Sequence, residues 1–244
     1  MKKFLYRLLM LICIGVIAFS GAQLVRIYLK YKKGTDTYKQ TAAKAVTTKK
    51  SDGDRDHVPI TVDFDKLRAE NPDVVGWLYC KGTPINYPVV QGKDNSEYLH
   101  KLVNGTKNFS GTLFVDVNSP KDLSGPNTII YGHAMKNGSM FGTLAHYRKA
   151  DYYQAHPYLW YLTPEGNYRL DLIRGYTAPA DSLIYSAFDL AKVQAVLANT
   201  ASESTFDAGI DRLTVSKIVT LSTCAYDYDD ARYIVIAVPT RVDQ

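Results

Sequence analysis

Eight short runs rich in β-branched and aromatic residues, at 74–79, 85–90, 111–117, 127–131, 158–162, 168–176, 217–221 and 233–238, constrain this 244-residue chain more than any other feature. Turn-forming residues separate them, most clearly Lys81-Gly82-Thr83-Pro84 and Thr163-Pro164-Glu165-Gly166-Asn167. Helical patterns are fewer. Residues 63–70 suggest a short helix that Asn71-Pro72 ends, because proline disfavours a helical residue before it. Phe188, Leu190, Val193, Val196 and Leu197 can share one helix face, and 96–102 and 141–147 carry weaker helical patterns. Many strands and few helices predict a mainly β fold, a closed or nearly closed eight-stranded barrel.

The N-terminus has a different character. Residues 8–22 are an apolar run that Leu24, Val25 and Ile27 extend, with Lys2, Lys3 and Arg7 before it. Its length approaches the roughly 20 residues a bilayer crossing needs, longer than a cleaved signal sequence. Residues 1–30 are therefore expected to form a single-pass transmembrane signal-anchor. Positive charge flanks both ends, so orientation rests on the common arrangement, with the C-terminal domain outside. From Gly34 to about His57 large apolar side chains nearly vanish. Such a segment has little surface to bury, so residues 31–57 are expected to be a flexible basic tether and 58–244 the folded domain.

Charge follows the same division. Residues 1–57 hold 12 Lys and Arg against 4 Asp and Glu, whereas the remainder holds 17 against 20. The net charge of +5 thus belongs to the anchor and tether, and the acidic domain lacks the basic face of a nucleic-acid binder. Three cysteines, Cys13, Cys80 and Cys224, are too few and too scattered for a disulfide framework or a cysteine-rich zinc site. Neither a metal nor a cofactor is expected. Cys13 and Cys80 lie in apolar surroundings, where a thiol serves as a small hydrophobe.

Cys224 differs. It ends the strand pattern Ile218-Val219-Thr220-Leu221-Ser222-Thr223 and precedes a polar loop with Asp227, Asp229 and Asp230. Arg232 opens the next strand, so adjacent pairing would place both residues at one rim of the sheet. A guanidinium there can donate to a developing oxyanion and favour thiolate. Among five histidines, His133 alone ends a buried-strand pattern, with Gly132 before it to allow an unusual backbone angle. His57, His100, His146 and His156 lie on polar stretches. A thiol with a histidine distant in sequence is a known nucleophile and base arrangement.

The ordered set Tyr131-Gly132-His133, Thr220-Leu221-Ser222-Thr223-Cys224 and Arg232 resembles the sortase family of cysteine transpeptidases. Stretches 71–77, 83–91 and 94–99 resemble its class B, and the resemblance runs from about Asp63 to Pro239. It implies an eight-stranded sortase barrel with a short N-terminal helix and a helix-bearing excursion, 177–216, between the sixth and seventh strands. It implies cleavage of a sorting motif after Thr, a thioester on Cys224 and transfer to an amine of a cell-wall precursor at the cell surface. His133 maps to the acid/base and Arg232 to the oxyanion or substrate-positioning group. Ser222, Thr223 and Asn95 map near the substrate groove, and class B leans toward an Asn-Pro-x-Thr type of motif. Two other readings remain open on the residues alone: a cysteine hydrolase with the same pair, and a non-catalytic wall-binding module with a structural Cys224.

Overall fold

The computed structural model describes residues 2–49, 55–206 and 208–242. Helix α1 (Lys2–Ala45) takes in the apolar run and continues well past it. The stretch expected to be a flexible tether is, in its described part, mostly helix followed by strand β1 (Val46–Thr48); Lys50–Asp54 lie outside the described residues. The reason is a stripe of contacts. Gly34, Tyr38, Thr41 and Ala45 recur at helical spacing and are buried, so this polar-looking segment docks through small residues and one tyrosine. Strand β2 (Ile60–Val62) pairs antiparallel with β1, and helix α2 (Phe64–Glu70) follows, capped by Asp63 accepting from Lys66 N at 3.0 Å.

The barrel comprises β3 (Val74–Tyr79), β4 (Asn86–Val90), β5 (Leu113–Val115), β6 (Asn127–Tyr131), β7 (Tyr158–Thr163), β8 (Gly166–Pro179), β9 (Ile218–Cys224) and β10 (Ala231–Val242). Its order is β10-β8-β7-β3-β4-β5-β6-β9, and pairing of β9 with β10 closes it. Only the β4/β5 and β6/β9 pairs are parallel. Gly76 leaves room for Tyr161, whose ring lies 2.5 Å from where a Cβ would stand. Residues 96–102 form turns and not a helix, while helix α3 (Ala150–Ala155) arises outside the patterns singled out above.

Alternation along β9 and β10 builds two cores. Tyr233, Val235, Ala237, Val219 and Leu221 join the main cluster, whereas Ile234, Ile236 and Ile218 face a second one. Helix α4 (Leu190–Asn199), in the excursion between β8 and β9, covers that second face with Val193, Val196 and Leu197. Successive residues point to opposite sides of a strand, so Cys224 and Arg232 share the face that carries Ile234 and Ile236.

Candidate active site

Strands β9 and β10 and the loop that leaves β6 bring the three expected groups to one rim. In the β9/β10 ladder Arg232 is the direct Cα partner of Cys224. Directly opposed residues of an antiparallel pair have Cβ atoms about 5 Å apart, so guanidinium and thiol are neighbours. On the other side of β9, parallel β6 pairs Tyr131 with Ser222, and Gly132 N donates to Ser222 O at 3.1 Å. His133 follows two residues beyond the end of β6 and opens onto the same cleft as Cys224 and Arg232. Cys224 thus has Arg232 beside it on β10 and His133 at the same rim.

The imidazole is held from behind. His133 Nε2 lies 2.7 Å from the Leu99 carbonyl, and a carbonyl only accepts, so Nε2 carries the proton and Nδ1 is left to exchange one. His100 stacks on the ring, with centroids 5.6 Å apart and planes at 8°. Burial lowers the His133 pKa below the usual imidazole value; the Leu99 bond opposes this and the nearby His100 adds to it. The resting imidazole is therefore neutral near pH 7. Gly132 contributes space and not an unusual backbone angle: a Cβ there would come within 2.4 Å of Leu113 and 2.7 Å of Phe141.

A cleft of about 260 Å³ opens at this rim, lined by His133, Cys224, Arg232, Ser222, Thr223 and Asn95 together with Leu99, Thr112, Phe114, Tyr131 and Gly132. All six residues singled out from the sequence line it. Cys224 is half-buried, so its sulfur is partly open to the cleft, unlike that of buried Cys80. Arg232 donates one bond to its neighbour's carbonyl, Ala231 O, at 3.0 Å, and among the described residues no carboxylate pairs with it. Its remaining donors are uncommitted. The Ser222 hydroxyl lies 2.8 Å from that of Tyr185, which belongs to the excursion, and the buried Thr223 hydroxyl has no partner among the described residues.

Other groups at the cleft gave no sign in the sequence. The buried Asp116 carboxylate accepts from Asn95 Nδ2 and from the Tyr131 hydroxyl, each at 2.9 Å, and from Asn118 N at 2.8 Å. Asn95 also accepts from Val117 N at 2.9 Å, so its side chain is fixed at the cleft wall. Among the described residues no group of three or more His, Cys, Asp or Glu could hold a metal ion.

The sortase domain family matches residues 78–240. Sortase B of Listeria monocytogenes is 33% identical over 238 residues, covering 96% of both chains. The chain belongs to the sortase family. Sortase B of Staphylococcus aureus is 30% identical over 241 residues, covering 97% of both chains. The solved S. aureus sortase B-substrate complex matches with a TM-score of 0.68 and 32% identity, over 74% of this chain and 85% of that one. Sortase B from B. anthracis in complex with AAEK1 reaches 0.71 at 26% identity, over 88% and 99%. The class B resemblance and the closed eight-stranded sortase barrel are thus both present, and with them the transpeptidase activity of this family of cell-surface enzymes.

Proposed function

We propose that Cys224 is the acylated nucleophile, His133 its acid/base partner and Arg232 the group that stabilises the oxyanion. The observation that supports this reading is the single cleft lined by all three side chains, with Arg232 the direct cross-strand partner of Cys224. In the reactive form the thiolate attacks the Thr carbonyl of a sorting motif, and the developing oxyanion takes donors from Arg232. Imidazolium gives its proton to the departing amine as the C–N bond breaks. A thioester remains. An incoming amine, giving a proton to the imidazole, then displaces the thiolate and forms the new amide. The thioester conserves the acyl group's reactivity between the two steps. Burial favours neutral imidazole, so the His133 environment works against the imidazolium that the first step requires.

The finer assignments follow the class. The donor is a surface protein bearing an Asn-Pro-x-Thr type of motif, bound against Ser222, Thr223 and Asn95, and the acceptor is an amine of a cell-wall precursor. One solved relative is a sortase B complexed with triglycine, a primary amine of that kind. Residues 58–244 hold the catalytic unit, and the apolar part of α1, long and apolar enough to cross a membrane, anchors it with the barrel outside. Incubation with pooled Pro-x-Thr peptides, followed by mass spectrometry of the intact protein, tests the assignment. A thioester on Cys224 that an added amine resolves is the expected result; acyl transfer to another residue, or release to water alone with amine present, overturns it.

A further inference from the structure

The apolar span and the barrel meet without a joint. Leu24, Ile27 and Leu29 are exposed, as lipid-facing residues are, yet at the next residue the Lys30 carbonyl accepts from Asn108 Nδ2 at 3.0 Å. The Tyr31 ring meets Phe109 edge-on at 4.8 Å. Gly34 passes so close to Ser110 that a Cβ would stand 2.9 Å from its hydroxyl, and the Tyr38 hydroxyl bonds Gly111 O and lies 3.0 Å from Thr112 Oγ1. No non-helical residue and no undocked turn separates the lipid-facing part of α1 from the docked part.

Charge marks the same level. Arg26, Lys30 and Lys33 lie at i, i+4 and i+7, a stripe beside the docked one, and all are exposed. Lys107 is exposed on the loop whose next residue, Asn108, holds Lys30. Lys32 is paired with Asp36, whereas among the described residues these four cations have no carboxylate partner. A cluster of unpaired cations directly beyond an apolar span is complementary to an anionic lipid surface.

We propose that the barrel is seated on the membrane, with Arg26, Lys30, Lys33 and Lys107 on anionic lipid headgroups, which rests on the single-pass anchor argued above. The seat sets the height of the catalytic cleft. Thr112 lines the cleft and lies beside Tyr38, nine residues beyond Leu29, or about 14 Å of helix at 1.5 Å per residue. Donor and acceptor are then met at a fixed distance from the bilayer and not by a domain that searches on a tether.

The full chain is reconstituted in phosphatidylcholine vesicles with and without one-quarter phosphatidylglycerol, and hydrogen exchange is followed in peptides covering 104–110. Phosphatidylglycerol is expected to slow exchange there by about fivefold at low salt, with the effect lost at high salt. The combined variant Lys30→Gln, Lys33→Gln, Lys107→Gln should lose it, as should a flexible five-residue insertion after Leu29. Unchanged transpeptidation of soluble peptides by both variants shows that they remain folded. Equal exchange on the two vesicle types overturns the seating, as does protection that survives the insertion. Alkaline carbonate extraction separates the two readings: a retained but unprotected chain loses the seat alone, and a released chain loses anchor and seat together.

Discussion

Cys80 follows the last residue of β3 and Cys224 is the last residue of β9, yet they lie in opposite chemical settings. Cys80 closes a turn, its N–H donating to Ile85 O at 2.9 Å, and its sulfur points at Tyr158 O, 3.8 Å away. Only 1% of it is exposed, and burial pushes its pKa up to about 11. Cys224 is half-buried, opens onto a loop, has Arg232 as its cross-strand partner and shares a cleft with His133. A strand end is therefore common to both thiols, and what sets Cys224 apart is its exposure and its neighbours at the cleft.

The sharpest way to break this comparison is to delete each thiol. Cys224→Ala should abolish thioester formation, while Cys80→Ala should leave single-turnover rates within about twofold and cost roughly 1 kcal/mol of stability. Iodoacetamide should label Cys224 and spare Cys80 in the folded protein; the reverse labelling would end the comparison. Next in size, His133→Gln should lower the rate by about 100- to 10,000-fold with the fold intact by circular dichroism. Arg232→Lys retains charge but loses the planar fork, and a loss of about 100- to 1,000-fold is expected in single-turnover acylation. A lysine variant within about threefold of wild type would leave Arg232 as a charge only.

The smallest effect concerns pH. Burial holds the folded His133 pKa below its unfolded value, so the neutral ring contributes stability that is present above about pH 6.5 and is lost as pH falls through the folded pKa. The acid limb of the rate profile should lie below pH 6.5 for the same reason. His100→Phe keeps a ring against His133 but removes a titrating charge, so it should move that limb upward, and His133→Gln should flatten the stability slope. An acid limb indifferent to His100→Phe would mean that burial alone tunes His133.

Much of this is legible in the sequence where the signal is local. The strand runs, the short helix ended by Asn71-Pro72, the Val193, Val196 and Leu197 part of the α4 face, and the placing of His133, Cys224 and Arg232 at or just past strand ends follow from periodicity and turn chemistry. Phe188, by contrast, precedes α4 and Leu190 is exposed. Composition misreads the tether because it counts large apolar residues, whereas α1 docks with Gly34, Tyr38, Thr41 and Ala45. Their i, i+4, i+7, i+11 spacing is the available clue. The Asp116 carboxylate with Tyr131 and Asn95, and the Leu99 carbonyl behind His133, leave no such trace. Each depends on segments that meet only in three dimensions, and a backbone carbonyl has no residue type to read.

The parallel pairing of β6 with β9 also has a consequence in time. The two strands belong to opposite halves of the domain, with β7, β8 and the α4 excursion between them along the chain. A chain that emerges unfolded across a membrane presents a solitary thiol on one segment and a solitary imidazole on another. Neither is then a catalyst. If the two act as proposed above, joining β6 to β9 is what brings them to one rim, so a molecule that has not completed this pairing is expected to be inert.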